Sequence, residues 1–292
     1  MNNSTPMFDQ AQGVHLQASE RRAQGSLKRC TKLAISLGYF FIQGAIGLLL
    51  RAMGRAPSPR LVILYYHGIP RIYRCDFANQ MQVLSRDAHV FPANYRGPLP
   101  PDKPNVAITF DDAYTSVAEN ALPELAERGF HSTIFVPVGS LGGPPNWVVK
   151  GDGVESDEVV MSAERIATLS SPLVTFGSHS ITHPHLSRME SDDARKEIEG
   201  SRDKLERLTR EEIRLFAFPH GDHNVSTVDL CRAAGYDHVF SIVPQPVKAD
   251  TSTFVRGRVQ VEPFDWPLEF FLKYRGAYVW SSYVSAIKGL CR

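Results

Sequence analysis

Cysteine is scarce in this chain: Cys30, Cys75, Cys231 and Cys291 are the four, and no two of them stand in C-x-x-C spacing. That excludes a small disulfide-stapled scaffold and argues against a structural cysteine–zinc site. A surplus of charge is missing too, since 32 Lys and Arg against 31 Asp and Glu leave a formal net charge of +1. No whole-chain field draws a phosphate backbone, so nucleic acid is not an expected partner. Internal repeats are absent. Long hydrophobic runs are absent as well, with one exception near the N-terminus. What the chain does have is 43% hydrophobic content over 292 residues, enough for one large core in a single catalytic-sized domain plus an extension.

The exception is "LAISLGYFFIQGAIGLLL", residues 33–50, which carries no charge and sits at the lower edge of membrane-spanning length. Arg21, Arg22, Lys28, Arg29 and Lys32 precede it, and Arg51, Arg55 and Arg60 follow. The leading bases suit a signal anchor with a cytoplasmic N-terminus, but bases on both sides weaken any assignment of orientation. Ala52-Met53-Gly54 loosely matches a small-x-small cleavage site, yet the basic leader is longer than a cleaved signal has, which disfavours cleavage. Gly38, Gly44 and Gly47, with Ser36 and Gln43, weaken a helix in water. Spanning the bilayer and lying in its interface both stay open. Either way the expected place is membrane-associated, at a bacterial inner membrane, with the side unassigned. Residues 1–20 are polar and aperiodic and read as disordered; 21–56 read as a basic, hydrophobic helix.

After the linker "GRAPSPR" the chain alternates apolar runs with helical patterns. "LVILYY", "VAITF", "STIFVPV", "LVTFG", "RLFAF" and "HVFSIV" read as strands. Between them, a short segment around 77–85, "ENALPELAERGF", "SAERIATL", "ESDDARKEIEGSRDKLERL" and "STVDLCRAAGY" read as helices, Gly129 serving as a C-cap. Strands alternating with helices predict βα units, hence an α/β fold with a parallel sheet closed or nearly closed as a barrel over 61–262. Residues 263–292 read as an amphipathic closing region whose aromatics, with Lys273, Arg275 and Lys288, suit either a packed helix or a membrane surface.

Polar residues follow directly on the apolar runs: Asp111 and Asp112 after "VAITF", His179 after "LVTFGS", and Pro219-His220-Gly221 after "RLFAF". In parallel barrels the reactive groups sit at the carboxyl ends of strands, so three strand ends are expected to converge on one mouth. A buried carboxylate needs an ionic or hydrogen-bonding partner, and "SHSITHPHL" supplies one. His179 and His183 are four apart, which on one helical turn puts both imidazoles on the same side. Two histidines and one aspartate make an open three-ligand site, the kind that lowers the pKa of water and polarises a carbonyl oxygen. The second aspartate is then free to act as general base. Each motif alone is weak, an exposed turn or a helix cap being the plainer reading; together, at strand ends, they favour a metal.

"TFDDAY", "SHSITHPHL" and "FAFPHG", in this order and separation, resemble the first three signature motifs of the polysaccharide deacetylases, carbohydrate esterase family 4, also called the NodB-homology domain. The resemblance covers roughly 61–261. It implies a distorted (β/α)7 barrel, here with an N-terminal hydrophobic helical extension. It implies Asp111 as general base and Asp112, His179 and His183 as ligands of a divalent metal, most often Zn2+. The implied reaction removes N-acetyl groups from N-acetylhexosamine units of an acetylated glycan, either a polysaccharide or its lipid-linked precursor. The oxyanion is expected to lean on the metal and on the backbone N–H of His220, in the turn formed with Pro219 and Gly221.

The chain also departs from that pattern. Where many members carry an arginine that orients the base, it has Ala217; Arg256 or Arg258 in "FVRGRV" is the available substitute. No Leu-x-x-His follows Val239 to provide the acid for the leaving amine, which leaves His220 or His67 as stand-ins, while His185 reads as a loop residue. Trp147, in the Gly/Pro-rich loop after "STIFVPV", is placed to stack on a sugar ring or to pack that loop against the barrel, and Trp266 is a poor match to the residue lining the acetyl pocket. A deformylase or amidase acting on a smaller amide, and a catalytically silent carbohydrate-binding domain, are the alternative functions.

Overall fold

The alternation read from the sequence is the architecture. The computed structural model describes residues 7–147, 157–169, 171–248 and 253–282, with side chains from residue 27 onward. The chain divides into two units, Met1–Ala56 and Pro57–Arg292.

The first unit holds one helix, α1 (Met7–Ala52). It therefore starts upstream of Arg21 and takes in much of the leader that reads as disordered. Its segment Leu27–Ala52 has a mean hydropathy of 1.9 and is 6% buried. At 1.5 Å per residue that segment extends about 39 Å, longer than the ~30 Å hydrocarbon layer. By length and composition it qualifies to cross a membrane, a test that a signal sequence near the N-terminus also passes.

The second unit runs β1 (Arg60–Tyr66), α2 (Arg74–Asp87), β2 (His89–Val90), β3 (Asn105–Phe110), α3 (Leu122–Glu127), β4 (Ser132–Val136), α4 (Ala163–Thr168), β5 (Val174–Ser178), α5 (Ser191–Thr209), β6 (Leu215–Ala217), α6 (Val225–Ala233), β7 (His238–Phe240), β8 (Val247–Lys248), β9 (Val255–Arg256), β10 (Val259–Gln260) and α7 (Pro267–Tyr274). The strands form one sheet in the order β10-β1-β3-β4-β5-β6-β7-β9, parallel along that path, with β2 added to β3 and antiparallel β8 added to β1. The two ends of the order, β9 and β10, are separated in sequence only by Gly257 and Arg258. The sheet is thus a nearly closed barrel whose seam is that dipeptide, matching the barrel the motifs imply.

Side chains alternate along each strand, and the inward set fills the barrel. Leu61, Ile63, Ala107, Phe135, Leu215, Ala217 and Phe240 form one buried cluster, which Ala93, Leu99, Phe91 and Tyr95 join from the segment between β2 and β3. Space inside is tight: a Cβ on Gly177 of β5 would lie 2.5 Å from the Phe135 ring and 3.1 Å from the Leu215 carbonyl oxygen. Outside, α5 lays Ala194, Ile198, Ser201 and Leu205 on the sheet. Ser201 Oγ meets Ser178 Oγ at 2.6 Å. Helix α7 is a packed closing element: Phe270, Leu272 and Tyr274 are buried, and Lys273, far from being a surface base, is buried with Asp265 at 2.6 Å and Glu269 at 3.4 Å. The remainder of that C-terminal stretch, Lys288 and Cys291 included, lies outside the described residues.

Candidate active site

The inward periodicity of β3 runs through Ala107 and Thr109 to Asp111, whose N–H extends the ladder by donating to the Tyr66 carbonyl at 2.9 Å. A regular strand would aim the next residue at the opposite face. Instead Asp112 adopts φ +67° and Ala113 φ +49°, the left-handed region that aspartate tolerates better than most residues. The turn it makes accounts for two adjacent buried carboxylates at one strand end: Asp111 and Asp112 are each 3% exposed.

His179 directly follows β5. Its Nδ1 lies 2.8 Å from the Ala217 carbonyl oxygen, so Nδ1 carries the proton and Nε2 presents a lone pair, the arrangement that orients metal-bound histidines. Ala217, the position where the family pattern would have an arginine, thus serves through its backbone. The spacing argument for a helical turn at His179–His183 does not hold: the segment is irregular, with Ser180 at φ +65° and His183 at φ +59°. Two imidazoles are brought together by a tight left-handed turn. Ser180 Oγ accepts from the His183 N–H at 3.0 Å. Glu197 of α5 accepts from the N–H groups of Ile181 and Thr182 at 2.8 and 2.9 Å and from the Thr182 hydroxyl at 2.7 Å.

Asp112, His179 and His183 offer ligand atoms that all lie within 4.8 Å of one another. Asp112 Oδ1 is 3.6 Å from His179 Nε2 and 3.3 Å from His183 Nε2. The spacing resembles ion pairs, but the imidazoles are neutral: burial holds His179 down at about 4, and burial with the neighbouring His179, His220 and His67 holds His183 lower still. At His179 the Nε2 lone pair faces the Asp112 carboxylate oxygen with no proton between them, an approach that is repulsive unless a cation intervenes. Donors around a tetrahedral ion at ~2.0–2.1 Å stand about 3.3 Å apart, so the observed separations fit one divalent ion, and an N2O donor set suits zinc or a similar borderline metal.

The guanidinium that pairs with Asp111 is that of Arg258. From the seam its fully buried side chain reaches Asp111 with both arms, Nη1 to Oδ1 at 2.6 Å and Nη2 to Oδ2 at 2.8 Å. It lies over the Tyr65 ring at 4.7 Å and the Phe135 ring at 5.2 Å. Burial pushes the Asp111 carboxyl upward, but Arg258, with His179 and His67 adding to it, holds the net value below the ordinary range. Arg256 points elsewhere, donating to the carbonyls of Ala93 and Tyr95.

His220 stands at φ +57° in the Pro219–Gly221 turn, exposed, with its ring 4.5 Å edge-on to His183 and stacked 4.1 Å from His185. Gly221 is required there, since it has φ +66° and a Cβ would run into Ile242. His185 faces Asp222, Nδ1 to Oδ2 3.5 Å. His67, half-buried beyond the end of β1, bears electrostatically on Asp111, His179 and His183. Trp147 stacks on the His183 ring at 4.2 Å and 25°. Trp266 stands at the N-terminus of α7, 41% exposed. Glu197 escaped the sequence reading because it sits in a charged helix. Its place three residues after Ala194 and four before Ser201, on the buried stripe, was the available signal.

The model of the polysaccharide deacetylase family matches residues 99–239, a stretch that holds Asp111, Asp112, His179, His183 and the Pro219–Gly221 turn. Over those residues, just under half of the chain, it is similar to the polysaccharide deacetylase family, whose members are hydrolases of carbon–nitrogen bonds. YxkH of Bacillus subtilis (strain 168) is 24% identical over 215 residues, 70% of this chain and 72% of that one. Among solved structures, the Streptococcus pyogenes deacetylase PplD, in complex with acetate, is similar at a TM-score of 0.61 with 19% identity, over 75% of this chain and 99% of that chain. IcaB from Ammonifex degensii is similar at 0.60 with 24% identity, over 74% and 98%. Both likenesses are of fold.

Proposed function

We propose that this protein removes N-acetyl groups from N-acetylhexosamine units of a polysaccharide or lipid-linked glycan precursor, working at a membrane through α1. The observation that carries the reading is the convergence of Asp112, His179 and His183 beside an Asp111 that is locked by Arg258 and left out of the ligand set. Asp112 Oδ1 and the two Nε2 atoms would hold a divalent cation, with Zn2+ the first choice. Such an ion supplies Lewis acidity, lowering the pKa of water and polarising an amide carbonyl.

The chain's own groups do the rest. Asp111, ionised and oriented, takes the proton from the attacking water as its oxygen bonds to the amide carbon. The His220 N–H supports the negative oxygen that develops. As the C–N bond breaks, the leaving nitrogen takes a proton, acetate departs and a free amine remains on the sugar. The donor of that proton is His220, whose ring lies 4.5 Å edge-on to His183, or His67 beyond the end of β1.

The test is metal content together with acetate release from acetylated oligosaccharides, with and without chelator. D111N is expected to keep its metal while losing turnover by about 10²–10⁴-fold, and comparing H220A with H67A identifies the acid as the variant that loses the more. Chelator-insensitive release, or release of formate from formamido sugars in place of acetate, overturns the proposal; metal uptake without hydrolysis of any amide marks a binding domain.

A further inference from the structure

The two histidines of the ligand group are held in different ways. His179 has the usual support, an Nδ1 hydrogen bond to the Ala217 carbonyl. Nδ1 of His183 is buried and makes no hydrogen bond to a described residue. A ligating imidazole without that outer bond lacks the contact that fixes its ring plane and aims Nε2. Something else must hold it.

Three rings flank that of His183: Trp147 on its face at 4.2 Å and 25°, and His220 and His179 against it edge-on at 4.5 Å and 78° and at 4.9 Å and 69°. The loop that carries Trp147 is itself anchored to both ligand-bearing segments. Gly139 N–H donates to the Ile181 carbonyl at 2.8 Å, and a Cβ on Gly139 would strike that oxygen. Gly142 N–H donates to the Val160 carbonyl at 3.1 Å, and Met161 N–H in turn to Ala113 at 2.9 Å, beside Asp112. The start of the loop that presents the indole is therefore tied to both ligand-bearing segments.

We propose that Trp147 is the positioning residue of His183: its face-to-face stack sets the plane of the imidazole in place of an Nδ1 hydrogen bond and aims Nε2 at the shared cation. This rests on the metal-site reading above. It leaves the role of sugar platform that the sequence suggests for Trp147 open on the other indole face, since His183 covers only one.

The experiment is Zn2+ titration calorimetry on chelator-stripped full-length chain in detergent, comparing wild type with W147F, W147L and W147A. Outer-shell partners of a ligating histidine are worth about 10–100-fold in metal affinity. W147A and W147L are expected to bind Zn2+ about tenfold or more weaker than wild type, and W147F, which keeps a stacked ring, within about threefold. Apo melting temperatures should be alike for W147F and W147L, because both fill the space and only one stacks. Zn2+ should also quench tryptophan fluorescence in wild type and not in W147F, Trp266 and Trp280 being the two other tryptophans. W147L binding as tightly as W147F overturns the assignment of Trp147 and leaves the metal site standing. Wild type that takes up no Zn2+ overturns the metal site and this inference with it.

Discussion

Replacing Arg258 with alanine removes a fully buried guanidinium from a carboxylate that is itself 3% exposed. Two hydrogen bonds of 2.6 and 2.8 Å vanish, and Asp111 is left buried with its charge uncompensated. Breaking a buried pair from one side costs about 3–5 kcal/mol, and for a domain of this size each kcal/mol lowers Tm by roughly 2–4 °C, so a fall on the order of 10 °C is expected. The loss should depend on pH in a definite sense. In the wild type the carboxyl is depressed, so the pair stabilises above the ordinary carboxylate pKa and fades as pH falls through the depressed value. In R258A burial acts with less opposition and the carboxyl rises. Acidification then relieves the mutant by protonating Asp111, and the difference in Tm between the two proteins narrows. Activity should follow the same titration: the acid limb of kcat/KM moves to higher pH, and its plateau drops by about a hundredfold or more as the base loses its orientation. R258K, which keeps the charge but not the fork, should fall between. Thermal melts and pH–rate profiles on purified protein read both effects. An R258A variant with the wild-type acid limb and a Tm within a couple of degrees would refute the claim that this arginine sets the base.

Glu197 should matter out of proportion to its distance from the chemistry. E197A removes the acceptor for two backbone N–H groups and one hydroxyl of the turn between His179 and His183, at about 1.5–3 kcal/mol for a hydrogen bond to a charged group; Zn2+ affinity and Tm should fall together, and E197Q should recover part of both. G177A places a methyl against the Phe135 ring and the Leu215 carbonyl, so a loss of about 1–3 kcal/mol in urea melts is expected, with metal affinity changed less than in E197A.

Much of the fold was legible because the strands carrying the mouth are apolar runs closed by polar residues, a pattern that marks βα units without any knowledge of pairing. The short strands β2, β8, β9 and β10 are two residues each, too short to show a period. At the site, the choice of residues was readable and the backbone was not. Asp111 and Asp112 share a mouth only because Asp112 turns left-handed, and His179 and His183 meet across a turn and not along a helix. Both depend on φ values that aspartate and histidine tolerate but do not announce. Arg256 and Arg258 have the same strand parity, so alternation alone could not choose between them. Depth along the strand decides, with Arg256 level with Ala93 and Tyr95 and Arg258 level with Thr109 and Asp111.

The dipeptide between β9 and β10 joins the outermost staves of the barrel, and one of its two residues is the arginine that grips Asp111. Closure and reactivity therefore hang on a single hinge pin. Breathing that parts those two staves would draw the fork away from its carboxylate while the rest of the wall stands, so a warmed molecule is expected to fall silent before it melts.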